Sequence, residues 1–322
     1  MNVGILGAGR IAVAMAQTLN GMEDACAYAV ASRDIRRAEE FAEKNHVEKA
    51  YGSYAEMLMD DKVDLVYIAT PHSHHLEHGK LCISYGKPVL CEKSFTANVK
   101  QAKELLAYAK EKNVFITEAI WIRYMPSRKL IADILSSGEL GELKGLSANL
   151  GYDVVDKERM VKPELAGGAL LDVGVYPLNF ASMCFGNEIE KITSACVWSP
   201  TGVDAQDAMI LTYKDGRLAT LHAGMLAATE QYGIVYGTKG YMIAYNINNV
   251  DRIEIFSSDR KSIRTVEVPK QITGYEYEIR ACMRALEAGM LECEEMPHSE
   301  TLQMMEWMDN IRADWGLRYP FE

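Results

Sequence analysis

The regular exchange of short apolar runs and helical runs over the first 120 residues constrains this chain most. Val3–Leu6 leads into Ile11–Leu19, Cys26–Ala31 into Asp34–Asn45, and Leu65–Ile68 into Ser73–Tyr85. Val89–Cys91 leads into Asn98–Lys112, and Val114–Thr117 closes the series. Short runs of this kind, each followed by an amphipathic helix, predict parallel strands covered on both faces. The expected fold is a doubly wound α/β domain of the Rossmann type. After Trp121 the rhythm changes. A helical stretch, Ser127–Ser136, precedes long alternating segments: Leu143–Tyr152, Ile189–Ser199, Ala208–Ala223, Tyr232–Tyr245 and Arg252–Val268. Lys214–Gly216 and Gly237–Gly240 read as hairpin turns, and two helices, Tyr275–Ala288 and Ser299–Asp314, end the chain. The second half is therefore expected to be an α+β domain with a large, mostly antiparallel open sheet. Residues 1–120 form the expected dinucleotide-binding domain and 121–322 the expected substrate and oligomerisation domain.

Length and charge agree with two globular domains. The chain has 322 residues, and domains average roughly 150. With 34 Lys and Arg against 45 Asp and Glu, the formal charge is −11. That balance argues against nucleic acid or an anionic membrane as partner, since both select clustered cations. Seven Cys without a CxxC pair suit a reduced, cytoplasmic compartment. The longest apolar stretch, Gly167–Gly186, contains Asp172, Pro177 and Asn179, too polar and broken for a spanning helix.

Gly7-Ala8-Gly9-Arg10-Ile11-Ala12 fits the G-x-G-x-x-G/A pattern at the junction of first strand and first helix. Gly7 allows the tight turn, Gly9 leaves space for a pyrophosphate, and Ala12 lets helix and strand pack closely. The backbone at Arg10 and Ile11 then opens a helix whose free N–H groups attract phosphate. The second strand ends Ser32-Arg33-Asp34-Ile35-Arg36-Arg37. NAD-binding folds usually place an acid at that point. Here Ser32, Arg33 and Arg37 suit an adenosine 2′-phosphate, so NADP is favoured over NAD. Asp34 is read as the cap of the following helix.

Four His lie close together at 72, 74, 75 and 78. Zinc needs three or four convergent ligands, and no Cys or acidic pattern completes such a set, so no metal is expected. The segment follows a strand, at the sheet edge where doubly wound folds bind ligands. Thr70, Pro71, His72 and His75 are therefore placed at the cofactor cleft. Glu92 and Lys93 end the next strand at the same edge. Lys93 is either a snorkelling amine or an ionisable group in the cleft.

Together these motifs resemble the Gfo/Idh/MocA family of nicotinamide-dependent oxidoreductases. The resemblance rests on Gly7-Ala8-Gly9, Ala69-Thr70-Pro71 with His75, Glu92-Lys93 and Gly167-Gly168-Ala169-Leu170-Leu171-Asp172-Val173-Gly174-Val175-Tyr176, in that order. The segment Glu118–Pro126, and Tyr176 where many members have His, are similar to the branch of dimeric dihydrodiol dehydrogenases and NADP-dependent xylose dehydrogenases. The resemblance implies a dehydrogenase acting on a small polyhydroxylated substrate, use of NADP, and a homodimer or higher oligomer through the second-domain sheet. It also implies Tyr176 as the proton-transfer residue. A tyrosine has an ordinary pKa near 10 and needs a nearby cation to act as a base. Lys93 is the candidate cation and Asp172 the orienting group or substrate ligand. Trp121 and Arg123 are candidates for lining the substrate pocket with Asp172 and Tyr176. The family's usual proline after the lysine is Ser94 here, which leaves the backbone presenting Lys93 less constrained. Two other readings remain: a glycosidase of the same fold using tightly held NAD, and a non-catalytic dinucleotide sensor.

Overall fold

The computed structural model describes all 322 residues. Its first part runs β1 (Asn2–Leu6), α1 (Arg10–Asn20), β2 (Cys26–Ala31), α2 (Ile35–Asn45), β3 (Lys49–Tyr51) and α3 (Tyr54–Leu58). It continues β4 (Leu65–Ile68), α4 (His75–Ser84), β5 (Val89–Glu92), α5 (Val99–Lys112) and β6 (Ile116–Ala119). The six strands pair in parallel in the order β3-β2-β1-β4-β5-β6. Strands β4, β5 and β6 are buried along their whole length, as a sheet covered on both faces requires. The order reverses between β1 and β4, and the crevice outside the strand ends there is where such folds take ligands. The edge strand β3 and helix α3 are absent from the sequence reading. Three and five residues are too few to show a period. Both are fixed by contacts instead: Ser53 Oγ accepts the Glu56 N–H at the start of α3. Asp60 accepts from Lys49, Tyr51 and Tyr28 across the sheet edge.

The second part begins with α6 (Pro126–Ser136), β7 (Leu143–Gly151) and α7 (Glu158–Val161). A π turn over Leu170–Gly174 enters α8 (Val175–Phe185). Seven strands follow: β8 (Ile189–Trp198), β9 (Asp204–Tyr213), β10 (Leu218–Gly224), β11 (Gly233–Gly237), β12 (Gly240–Tyr245), β13 (Arg252–Ser257) and β14 (Ser262–Glu267). They form one eight-stranded sheet with β7, ordered β14-β13-β12-β11-β7-β10-β9-β8. All pairs are antiparallel except β7 with β10. The Ala208–Ala223 segment is a hairpin of β9 and β10, turned at Lys214–Gly216 with the Gly216 N–H on the Tyr213 carbonyl. One face is buried, as with Met209, Leu211 and Tyr213, while Ala208 and Ile210 on the other are exposed. Helix α8 packs on β7 and β10 and is buried on nearly all sides. This accounts for its composition. Pro163–Phe185 reaches a mean hydropathy of 1.2, yet 89% of the apolar window lies inside the protein.

The chain divides into two compact units, Met1–Tyr124 with Gln271–Met305, and Met125–Lys270 with Glu306–Glu322. The first crossing lies four residues beyond the boundary expected at 120/121. The return of residues 271–305 to the first unit was not expected. Its helix α9 (Glu276–Glu287) buries Ile279, Ala281, Cys282 and Ala285. The Leu291 carbonyl accepts the Ile116 N–H at 3.1 Å, and His298 Nε2 meets the Ile116 carbonyl at 2.8 Å. An amphipathic pattern shows that a helix needs an apolar neighbour, but not which one. The last helix, α10 (His298–Trp315), runs across the division at Met305.

Candidate active site

In the first unit, Gly7 has φ +106, and a Cβ there would stand 3.0 Å from the Ala69 carbonyl oxygen. Both facts require glycine. Gly9 is different. Its φ of −96 suits any residue, and the nearest protein atom to a Cβ would be 3.9 Å away. The protein itself does not demand glycine there, whereas a dinucleotide pyrophosphate approaching the turn does. No side chain caps α1, and no acidic residue lies in its first turn. Its N-terminal N–H groups at Arg10 and Ile11 therefore suit a phosphate. The site fits a dinucleotide.

At the end of β2, Ser32 is 7% exposed and its Oγ accepts the Asp34 N–H. Asp34 Oδ1 accepts the Arg36 N–H and caps α2, as expected. Arg33 and Arg37 are exposed. Arg37 Nη2 donates to the Ala8 carbonyl of the phosphate turn at 3.2 Å. Arg33 lines an open hollow of about 660 Å³ with Asp34, Ile35, Gly52 and Glu56.

The histidine segment is turned inward more than the sequence suggests. Thr70 and Pro71 are half-buried, and His72, His75 and His78 are buried. His72 Nε2 lies 3.1 Å from the Lys93 carbonyl, and His75 Nδ1 lies 2.9 Å from that of Ser94. His75 Nε2 meets the Thr70 carbonyl at 2.8 Å. Burial holds the His75 imidazole below its usual range, against the pull of these carbonyls. Burial and its histidine neighbours bring His78 down to about 4. No group of three or more His, Cys, Asp or Glu side chains is placed to hold a metal. The Lys93–Ser94 bond is cis. The imidazoles of His72 and His75 thus sit on two successive carbonyls, of Lys93 and of Ser94.

Beneath Lys93 lies a group of buried acids. Tyr67 Oη donates to Glu92 Oε1, and Glu92 Oε2 accepts the Lys93 N–H at 3.1 Å. Glu92 is thus directed inward, where it steadies the strand end. Glu118 Oε1 accepts the Phe95 N–H. Burial raises the Glu118 carboxyl to about 7, against the pull of Thr301, the Phe95 N–H and Arg123. Glu278 is fully buried with neither oxygen hydrogen-bonded, and burial and the nearby Glu92 push its carboxyl well up. Glu278 had no place in the sequence reading. Its signal is an acid in the apolar series Glu278, Cys282, Ala285 on one face of α9. Trp121 stacks on Tyr275 at 4.1 Å between ring centres. Arg123 is 3% exposed, and its Nη2 donates to Glu300 at 2.8 Å. Arg123 is thus held in an ion pair whose partner Glu300 is half-buried.

In the second unit, Asp172 and Tyr176 are 8% and 7% exposed. Asp172 lies within the π turn and Tyr176 in the first turn of α8, so the helix is locally widened between them. Pro177 gives a cause: it has no N–H for Val173, and its ring crowds that carbonyl. π turns are frequent at functional sites. Arg159, from α7, donates Nη1 to Asp172 Oδ1. Arg159 and the buried pair Asp204 and Asp207 escaped the sequence reading, because nothing local in sequence joins them to Asp172.

Comparison with known proteins agrees with this fold. Residues 1–119 match the model of an oxidoreductase family with an NAD-binding Rossmann fold, and residues 129–243 match the GFO/IDH/MocA C-terminal domain. The chain is 34% identical over 298 residues to trans-1,2-dihydrobenzene-1,2-diol dehydrogenase of Homo sapiens, covering 91% of this chain and 89% of that protein. The enzyme of the same name from Xenopus tropicalis is 33% identical, with 98% of each chain covered. A 3-ketoreductase from Actinomadura kijaniata, solved with NADP and TDP-benzene, superposes with a TM-score of 0.88 at 26% identity over 97% of each chain. It has also been solved as variants with one lysine or one tyrosine replaced. The fold is shared with levoglucosan dehydrogenase at a TM-score of 0.87 and 18% identity, covering 98% of this chain and 97% of that one. The chain belongs to the Gfo/Idh/MocA family of NAD(P)-binding oxidoreductases.

Proposed function

We propose that this protein is an NADP-dependent dehydrogenase acting on the CH–OH group of a trans-dihydrodiol, cyclic polyol or sugar. The observation that carries the reading is the buried Asp172–Tyr176 pair on one helix entry, in a chain 34% identical to a dihydrodiol dehydrogenase. Held at the turn of Gly7 and Gly9, a nicotinamide dinucleotide would supply the acceptor for the carbinol hydride. Tyr176 takes the hydroxyl proton as the carbonyl forms and returns it in the reverse direction. Lys93 supplies the positive charge that brings a phenol into range for that transfer. Asp172 orients the substrate hydroxyl, and Trp121 offers an aromatic wall. NADP is favoured because Ser32 replaces the usual acid and Arg33 is exposed beside it. Thr70, Pro71 and His72 shape the same sheet edge, and His75 and Glu92 hold the backbone that carries Lys93.

The active form is proposed to be a homodimer joined through the open face of the eight-stranded sheet. That face exposes Ile210, Leu218 and Tyr236, apolar side chains that a second copy would cover. Seven free cysteines fit a cytoplasmic site.

The test is nicotinamide reduction with NADP and with NAD, over trans-dihydrodiols, xylose, glucose and inositols, for wild type and Tyr176→Phe. Turnover with NADP that falls by about 100-fold or more in the variant is expected. NADPH binding without turnover on any alcohol overturns the dehydrogenase reading in favour of a dinucleotide sensor. Equal activity with NAD overturns the cofactor assignment.

A further inference from the structure

Asp204 and Asp207 lie three apart at the start of β9, and a regular strand would point them to opposite faces. The pairing of β8 with β9 is irregular there. Val197 opposes Gln206 and Trp198 opposes Asp204, so Ala205 is passed over. A bulge of this kind re-aims a side chain. It turns Asp204 inward beside Asp207, leaving them 0% and 1% exposed. Asp204 Oδ2 accepts the Leu170 N–H at 2.5 Å, the first residue of the π turn. Asp204 Oδ1 and both Asp207 oxygens have no N–H or hydroxyl partner. The two carboxyls are within hydrogen-bonding reach of each other.

Two buried carboxylates in contact cannot both be ionised. One proton between them satisfies the geometry. Asp204 accepts a backbone N–H and feels the Arg312 guanidinium, so it is the anion, while burial and the Asp204 charge keep the proton on Asp207. The approach to Leu170 depends on Gly168. This residue has φ +123, and a Cβ there would overlap Asp204 Oδ1. Tyr319 holds the same turn from its other side, donating to the Gly167 carbonyl at 2.8 Å. Asp172 follows Leu170 by two residues and Tyr176 by six.

We propose that Asp204 and Asp207, joined by one shared proton, are positioning residues for the proton-transfer chemistry, fixing through Leu170 the π turn that sets Asp172 and Tyr176. This rests on the reading of Tyr176 given above. It adds an alkaline limit: loss of the shared proton puts two negative charges together and loosens the turn. The titratable groups facing the pair are Arg312 and Tyr319 near the chain end and Cys196 on β8.

The experiment compares Asp207→Asn, Asp207→Leu, Asp204→Ala and Tyr176→Phe in NADP-linked oxidation of trans-1,2-dihydrobenzene-1,2-diol, as kcat and KM against pH. NADPH affinity is followed by fluorescence and amide exchange over residues 166–176 by mass spectrometry. Asp207→Asn still donates to Asp204. It is expected to keep kcat within about threefold and to lack the alkaline fall expected of the wild type. Asp207→Leu and Asp204→Ala are expected to lower kcat by about 100-fold, the cost of roughly an ångström of misplacement, with faster exchange at Leu170 and unchanged NADPH affinity. Wild-type kcat in Asp204→Ala, or an equal loss in Asp207→Asn and Asp207→Leu, overturns the proposal while Tyr176→Phe remains inactive. Wild-type turnover in Tyr176→Phe overturns the underlying reading and the positioning role with it. If Asp204→Ala fails to fold, the Asp207→Asn and Asp207→Leu comparison decides alone.

Discussion

Arg159 places Nη1 on Oδ1 of Asp172, so the carboxylate ahead of Tyr176 is held by a guanidinium that is itself half-exposed. A pair with one open partner is screened by solvent and weaker than a sealed one. Its main effect is orientation. Arg159→Ala is expected to lower kcat/KM for the alcohol by about tenfold, the scale of one charge-assisted hydrogen bond. The KM for NADP is expected to stay unchanged. Steady-state kinetics with each substrate varied in turn checks this.

The exposed Arg33 next to Ser32 makes the cofactor assignment testable at two positions. Arg33→Ala is expected to raise the KM for NADP by about 10- to 100-fold, with little effect on NAD. Ser32→Asp is expected to reverse the preference, because a carboxylate repels the 2′-phosphate and binds a 2′-hydroxyl. The ratio of kcat/KM values for the two cofactors is the measurement.

The buried acids of the first unit predict how stability depends on pH. Glu278 and Glu118 have folded pKa values raised by burial. Below about pH 4.3, the ordinary glutamate value, both are protonated in folded and unfolded chains and contribute no pH dependence. Above it the unfolded chain ionises first, so stability falls as pH rises. For Glu118 the fall ends near 7, the value to which its carboxyl is raised. Over that window the loss amounts to about 4 kcal/mol. Glu278→Gln removes one such contribution. It is expected to raise Tm by several degrees at pH 8 and to change little at pH 4, as read by thermal denaturation in the two buffers.

Ile210 is 43% exposed on the open sheet face, on β9, the second strand from the β8 edge. Ile210→Glu places a charge there and is expected to convert a dimer to monomer, with NADPH affinity retained. Light scattering after gel filtration reads the mass. A wild-type monomer at micromolar concentration contradicts the proposed assembly.

The parts of the fold legible from sequence are those fixed by local chemistry. Strands β1, β2, β4 and β5 were readable because both faces are buried, so each is a plain apolar run. The phosphate turn was readable because Gly7 needs a positive φ that side chains avoid. The acid Asp34 was readable as a cap because capping acts over two or three residues. The short β3 and α3 were not, since they lack the length to show a period and depend on Asp60 and on the Ser53 cap to hold them.

The candidate site divides along the same line. Sequence order alone marked Lys93, Asp172 and Tyr176, and it determined the family and the nucleotide-binding half. Only the tertiary structure joined Arg159 to Asp172, set Asp204 against Asp207 beneath Leu170, returned residues 271–305 to the first unit, and turned His72 and His75 onto the backbone beside Lys93. The physical reason is that burial and electrostatics act through space. Whether a carboxyl is ionised, paired or holds a proton depends on neighbours tens to hundreds of residues away, and no local pattern records which neighbours those are.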